Sequence, residues 1–196
     1  KRDDPVILRG GTDTLGEAIV IPETVSQDGR IAVLNGVIAH EFGHQLGLVD
    51  LYRTFNFATQ VGNFSLMDNN ANDVGIETEV NGQTRILFGA VPVFPDPWSR
   101  AYLGFVEPIT VTDTVPATIW AAEEEELVPF NRQVWRVPIS STEYYLVENR
   151  QFDLDGDTVS ALKLDSVTSV ILGPADPGSR QLTREYDFLL PGSGML

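Results

Sequence analysis

The chain has 196 residues, 42% hydrophobic and 21% charged, with a formal net charge of −15. Such length and composition describe an ordinary globular protein of one domain, or one with a small appendage, and the acidic balance with only two lysines argues against nucleic acid as a partner. The absence of cysteine excludes disulfides and thiolate metal ligands, and no apolar run approaches the roughly 20 residues that span a bilayer.

From the N-terminus, Lys1-Arg2-Asp3-Asp4-Pro5 leads into Val6-Ile7-Leu8 without the long apolar segment of a signal peptide. Gly16-Glu17-Ala18-Ile19-Val20-Ile21-Pro22 predicts a short β-branched strand closed by proline. Its pattern fits equally a plain core strand and an edge open to an extended peptide. Ser26-Gln27-Asp28-Gly29 reads as a turn. From Ile31 to Leu48 the apolar positions Val33, Leu34, Val37, Ile38 and Leu46 predict a helix. Being apolar on most sides, it is expected to run through the core.

That helix contains both histidines of the chain, in His40-Glu41-Phe42-Gly43-His44. Four residues apart on a helix, they share a face and can converge on one metal ion. Glu41 sits one position along, placed to hold a water rather than the metal. The next six residues are Gln45-Leu46-Gly47-Leu48-Val49-Asp50. A catalytic zinc usually takes three protein ligands, and the chain has no third histidine to complete the set. A left-handed turn at Gly47 would bring Asp50 back as an oxygen ligand. Otherwise Gly47 only caps the helix and Asp50 stands in a solvated loop.

Residues 53–96 are poor in helical pattern and rich in Asn, Gly, Pro and Asp, predicting extended loops with short strands. Asn69-Asn70-Ala71-Asn72-Asp73 is expected as an exposed loop, and Glu77 to Leu87 as a hairpin through Asn81-Gly82. Asp96-Pro97-Trp98 starts a short helix reaching about Leu103, by N-cap and N1-proline logic, and Gly104 ends it. Strands follow at Ile109–Val111, Ala117–Ala121, Val134–Val137 and Tyr144–Val147. Glu123-Glu124-Glu125-Glu126 reads as a solvated like-charge turn. Asp153-Leu154-Asp155-Gly156-Asp157 offers hard oxygen ligands suited to calcium, although its glycine comes too early for an EF-hand loop. A plain acidic turn is the alternative.

The stretch from His40 to Tyr52 (HEFGHQLGLVDLY) resembles the zinc motif of metzincin-type proteases, in the variant with aspartate for the third histidine. More specifically, it is similar to that of the secreted bacterial immune inhibitor A family. Asn63-Phe64-Ser65-Leu66-Met67-Asp68, the segment from Pro97 to Phe105, the segment from Glu143 to Arg150, and Pro191-Gly192-Ser193-Gly194 resemble further blocks of that family. The resemblance implies an α+β, zincin- or metzincin-like catalytic domain with a central active-site helix, followed by a β-rich C-terminal part. The core would occupy 1–105 and the β-rich subdomain 106–196. It implies secretion, and a chain cut from a longer precursor, because the Pro-Gly-Ser-Gly segment leads into another strand in the family. It also implies a methionine turn, with Met67 beneath the ligands; by composition alone Met67 is an ordinary core filler.

On this reading the chain is a zinc-dependent endopeptidase with zinc on His40, His44 and Asp50. Zinc polarises a water and the scissile carbonyl, while Glu41 takes the water's proton and delivers it to the leaving amine. Tyr102, Tyr144 and Tyr145 are available to stabilise the oxyanion, and the sequence does not choose among them. Calcium on Asp153, Asp155 and Asp157 would be a second cofactor, and the partner a peptide or protein. Two alternatives stay open. One is an inactive zincin-like binding or adhesion module, against which Glu41 counts because a structural zinc needs no base. The other is a zinc hydrolase of a non-peptide substrate.

Overall fold

Antiparallel pairing of short strands organises the chain, in a mixed α+β arrangement that is mostly strand. A computed structural model describes residues 6–11, 13–15, 18–21, 31–69, 75–80, 82–114, 118–124, 133–157, 161–168, 171–190 and 192–195. β1 (Val6–Leu8) and β2 (Asp13–Leu15) form an antiparallel pair of their own. The strand expected over Gly16–Pro22 is absent where it is described, at Ala18 to Ile21. Val20 there is 89% exposed. β-branching favours a strand only where a pleated surface receives the side chain, and none does so here. The turn expected at Ser26–Gly29 lies outside the described residues.

β3 (Ile31–Ala32) runs parallel to β5 (Gln83–Phe88), which pairs antiparallel with β4 (Gly75–Val80). The hairpin expected over Glu77–Leu87 is therefore present, with Val80 opposite Gln83 and Gly82 at φ 74° in the connection. Of the loop expected at Asn69–Asp73, only Asn69 is described, and it is exposed.

α1 (Asn35–Gln45) is shorter than the helix expected over Ile31–Leu48, because the first two of those residues are claimed by the sheet. The Val33 N–H still donates to the Phe88 carbonyl, and the Asn35 amide donates to the Ala90 carbonyl, so the end of β5 fixes where α1 starts. Nor does the helix run through the core. Only Gly36, His40 and Gly43 are buried on it, while Ile38, Phe42 and Leu46 face outward. Its buried stripe is narrow and made of two glycines and a ligand-type residue, which explains why apolar spacing alone misjudged its depth.

α2 (Pro97–Tyr102) matches expectation closely. The Asp96 carboxylate accepts the Ser99 N–H at 2.9 Å, proline occupies the first turn, and Gly104 at φ 76° follows the end. β6 (Ile109–Thr110), β7 (Val134–Pro138), β8 (Tyr144–Arg150) and, later in the chain, β11 (Gly194–Met195) make a four-stranded sheet in the order β11-β8-β7-β6. Between β8 and β11, β9 (Ala161–Leu164) pairs with β10 (Ile171–Ala175). The strand expected at Ala117–Ala121 is reduced to one bridge, Ala121 to Asn149, with residues 118–120 in no strand. Among the described residues no helix is long and apolar enough to cross a membrane.

The largest fully buried side chains are Arg150, Met67, Glu123 and Glu148. Glu123, expected in a solvated turn, is only 2% exposed. Sequence-adjacent like charges suggest solvent, but the Ala121 bridge to β8 turns Glu123 inward onto Arg150, whose Nε is 3.5 Å away. Arg150 also pairs with Glu148 at 3.1 Å and with both oxygens of Asp187, and Arg100 of α2 pairs with Glu148. The Arg150 guanidinium further donates to the Phe64 and Phe94 carbonyls. This cluster joins residues 106–196 to the loops around α1 and α2.

Candidate metal centre

The C-terminus of α1 determines the site. The Leu48 N–H donates to the Gly43 carbonyl and the Gly47 N–H to the His44 carbonyl, both at 3.0 Å. That pair of bonds, with Gly47 at φ 94°, is a Schellman ending in which glycine takes the left-handed conformation. The chain reverses, buries Leu48, and is clamped again where the Leu51 N–H donates to the Met67 carbonyl at 2.8 Å. Asp50 is thereby returned to the helix face that carries the histidines.

Asp50 Oδ1 lies 3.2 Å from Nε2 of His40 and 3.2 Å from Nε2 of His44. Ligands on arms of about 2 Å around a tetrahedral ion stand about 3.3 Å apart, so these separations fit one shared ion. The other nitrogen of each ring is already committed. His40 Nδ1 is 2.8 Å from the Leu66 carbonyl and His44 Nδ1 is 3.0 Å from the Leu48 carbonyl. A carbonyl only accepts, so each Nδ1 donates its proton there, and each ring turns its Nε2 toward Asp50. Both Nε2 atoms and the carboxylate oxygen thus converge on one point, where a bound cation would take a lone pair from each. Two imidazoles with one carboxylate are a zinc-type donor set, whereas calcium and magnesium call for oxygen throughout.

Support for the three side chains is built in. Tyr52, which the motif reading passes over, donates its hydroxyl to Asp50, and its ring lies 6.3 Å from that of His40. Burial, followed by the negative charge and acceptor of Asp50 and the charge of Glu41, raises the Tyr52 pKa above its ordinary value. The hydroxyl therefore keeps its proton for Asp50. Met67 is fully buried directly under α1: a methyl at Gly43 would lie 2.7 Å from its sulfur. Ser65 holds the turn around Met67 by accepting the Met67 N–H and donating to Asp96 at 2.7 Å, which links the turn to the α2 cap. Asp68 gathers the N–H groups of Gln60, Val61 and Gly62 on one oxygen.

Glu41 is half-buried on the same helix, next to His40 and near enough to Tyr52 to bear on its charge. Of the three tyrosines left open as oxyanion donors, Tyr102 stands nearest a described part of the centre. Its hydroxyl presses on the Gly47 turn, where a methyl would meet it at 2.9 Å. Tyr144 and Tyr145 lie on β8.

The aspartates expected to bind calcium also meet. Asp153, Asp155, Asp157 and Glu185 each bring one carboxylate oxygen within 4.8 Å of the others. Glu185, distant in sequence and buried, was missed. Its Oε1 accepts the Leu154 N–H at 2.9 Å. Turn bonds shape the loop, from Gly156 to Asp153 and from Asp157 to Asp155. The backbone bond from Asp157 lowers the Asp155 pKa, but partial desolvation and the charges of Glu185, Asp157 and Asp153 outweigh it and leave it raised. The oxygens suit calcium by type, and the turn bonds account for the conformation without an ion.

Comparison of the chain with protein-family models, with curated proteins and with solved structures gives no match in any of the three.

Proposed function

We propose that the chain carries the catalytic centre of a zinc-dependent endopeptidase, of the metzincin-like, secreted type that its motif resembles. The observation that carries the proposal is the convergence of the two Nε2 atoms and Asp50 Oδ1 at 3.2 Å, with both Nδ1 atoms held by carbonyls. The Schellman turn at Gly47 and the buried Met67 below Gly43 support the metzincin-like reading of this corner.

His40, His44 and Asp50 would hold the ion. Zinc bound there supplies a Lewis acid for a water and for the scissile carbonyl. Glu41 accepts the proton of the attacking water and passes it to the leaving nitrogen, so its carboxylate needs to be ionised before attack. Tyr52 fixes the rotamer of Asp50 by its hydrogen bond, and the Leu66 and Leu48 carbonyls fix the ring orientations of both histidines. A purely structural site leaves Glu41 without a task, which favours hydrolysis over a binding module.

The test is cleavage of an unstructured protein substrate by the chain, with and without a chelator, beside Glu41→Gln. Activity should vanish with the chelator and return with zinc. Glu41→Gln should keep its zinc and lose roughly 10²–10⁴-fold in kcat. Undiminished cleavage by zinc-loaded Glu41→Gln would overturn the mechanism.

A further inference from the structure

α2 and the sheet β6-β7-β8 line an open cleft of about 530 Å³. Along β8, Tyr144, Leu146, Glu148 and Arg150 share one face. The inner pair is buried, with Glu148 ion-paired to Arg100 of α2. The outer pair is left partly open and lines the cleft with Arg136 and Thr110. The register explains the row: Arg136 stands opposite Leu146 on one side and Thr110 on the other. Trp98 and Tyr102 of α2 form the facing wall, their rings stacked at 5.3 Å. Tyr102 is shared with the metal centre, because its hydroxyl rests on the Gly47 turn between His44 and Asp50. The cleft therefore shares Tyr102 with the turn that returns Asp50 to the histidines.

Arg136 gives the cleft its chemistry. Its guanidinium lies 4.3 Å over the Tyr144 ring, and its Nε is buried without an acceptor. Among the described residues it forms no ion pair, in contrast to Arg100 and Arg150. Stacking on Tyr144 holds the planar group in place but satisfies none of its N–H donors. A fixed, unpaired guanidinium in a chain of net charge −15 is an uncommon arrangement, and its natural complement is a carboxylate. Glu107, exposed at the opposite rim, would repel a ligand carrying several negative charges. With Tyr102, Glu107, Thr110 and Tyr144 all exposed along it, the cleft is open to a chain lying across it.

We infer that this cleft is a substrate side-chain pocket selecting an acidic residue near the scissile bond, with Arg136 as its specificity determinant. The inference rests on the peptidase reading for its biological sense, but not for its test. Calorimetric titration of the chain carrying Glu41→Gln compares end-capped peptides that differ in one glutamate, glutamine or lysine. The glutamate peptide should bind about tenfold tighter than its glutamine twin, the difference expected of one charge-assisted pair. Adding Arg136→Gln should erase the preference, and Arg136→Lys should keep part of it. Thermal melts check that both variants fold; if Arg136→Gln does not, the glutamate–glutamine difference and the Arg136→Lys result decide.

Equal binding of glutamate and glutamine peptides, or a preference that survives Arg136→Gln, would overturn the assignment. So would a glutamine peptide with a free C-terminus that binds as tightly as the capped glutamate peptide. Selective binding without cleavage by the unsubstituted chain would retire the peptidase reading and leave the pocket standing. Cleavage without selectivity would do the reverse.

Discussion

Two clusters of ionisable side chains in this molecule, one around Arg150 and one around His40, resolve their charges in opposite ways. Around Arg150, the carboxylates Glu123, Glu148 and Asp187 meet the guanidiniums of Arg150 and Arg100, all buried. Burial, then a hydrogen bond and repulsion from Asp187, push the Glu123 pKa up to about 9, so it is neutral near pH 7. The remaining two carboxylates balance the two guanidiniums. Burial opposes the charge on Arg150, but Asp187, Glu148 and Glu123 outweigh it and hold its pKa above the usual range. Burial likewise raises the Glu148 pKa, against the lowering pull of Arg150 and Arg100. The cluster is closed in the sense that its ion pairs are made inside the protein. Around His40, His44 and Asp50, both Nε2 atoms converge on one carboxylate oxygen at 3.2 Å, and both Nδ1 atoms are spent on carbonyls. That set is open to a cation. A closed set holds a fold together, and an open one asks for a ligand.

The sharpest way to break this contrast is to remove the hub of the closed set. Arg150→Met strands Asp187 in the core, leaves Glu148 to Arg100 alone, and should destabilise the chain by about 3–5 kcal/mol. Denaturant unfolding measures it. A change below about 1 kcal/mol would mean that the cluster is wetter and weaker than its burial implies.

A smaller effect is expected from Tyr52→Phe, which removes only the hydroxyl held by Asp50. Loss of such an outer hydrogen bond typically weakens metal binding about 10–100-fold. Competition with a zinc chelator measures the change, and unaltered affinity would show that Asp50 needs no such support. The last test concerns Glu123. Its folded pKa of about 9 lies above its ordinary value of 4.5, so the native chain keeps a proton that the unfolded chain releases. The resulting stability is complete below about pH 4.5 and declines as pH rises toward 9. Glu123→Gln puts a hydrogen-bonding amide in place of the protonated carboxyl without the titration, and should flatten the fall in melting temperature between pH 5 and about 9. An unchanged slope would assign the fall to other groups.

The same contrast marks what was legible in the sequence. The open set is written locally. His40, His44, Gly47 and Asp50 lie within eleven residues, and helix periodicity plus one glycine turn brings them together. The α2 cap at Asp96, the β4-β5 connection at Gly82 and the β7 and β8 strands were likewise readable from short-range signals. The closed set is not local. Glu123, Glu148, Arg150 and Asp187 come from three stretches of chain, and nothing near Glu123 announces that a bridge from Ala121 to Asn149 will turn it inward. Glu185 joins the Asp153–Asp157 turn from 28 residues beyond Asp157 and was missed for the same reason. Tyr52 falls between these cases: two residues from Asp50, it was near enough to notice, but the direction of its hydroxyl depends on the fold.

The central claim is that His40, His44 and Asp50 together hold one zinc ion, and zinc competition on the chain and its Asp50→Ala variant tests it most directly. The account predicts one tightly held zinc per chain, released from Asp50→Ala at chelator concentrations that leave the unsubstituted chain loaded. Equal zinc retention by the two proteins would contradict it, and the oxygen 3.2 Å from both imidazoles would then be a neighbour rather than a ligand.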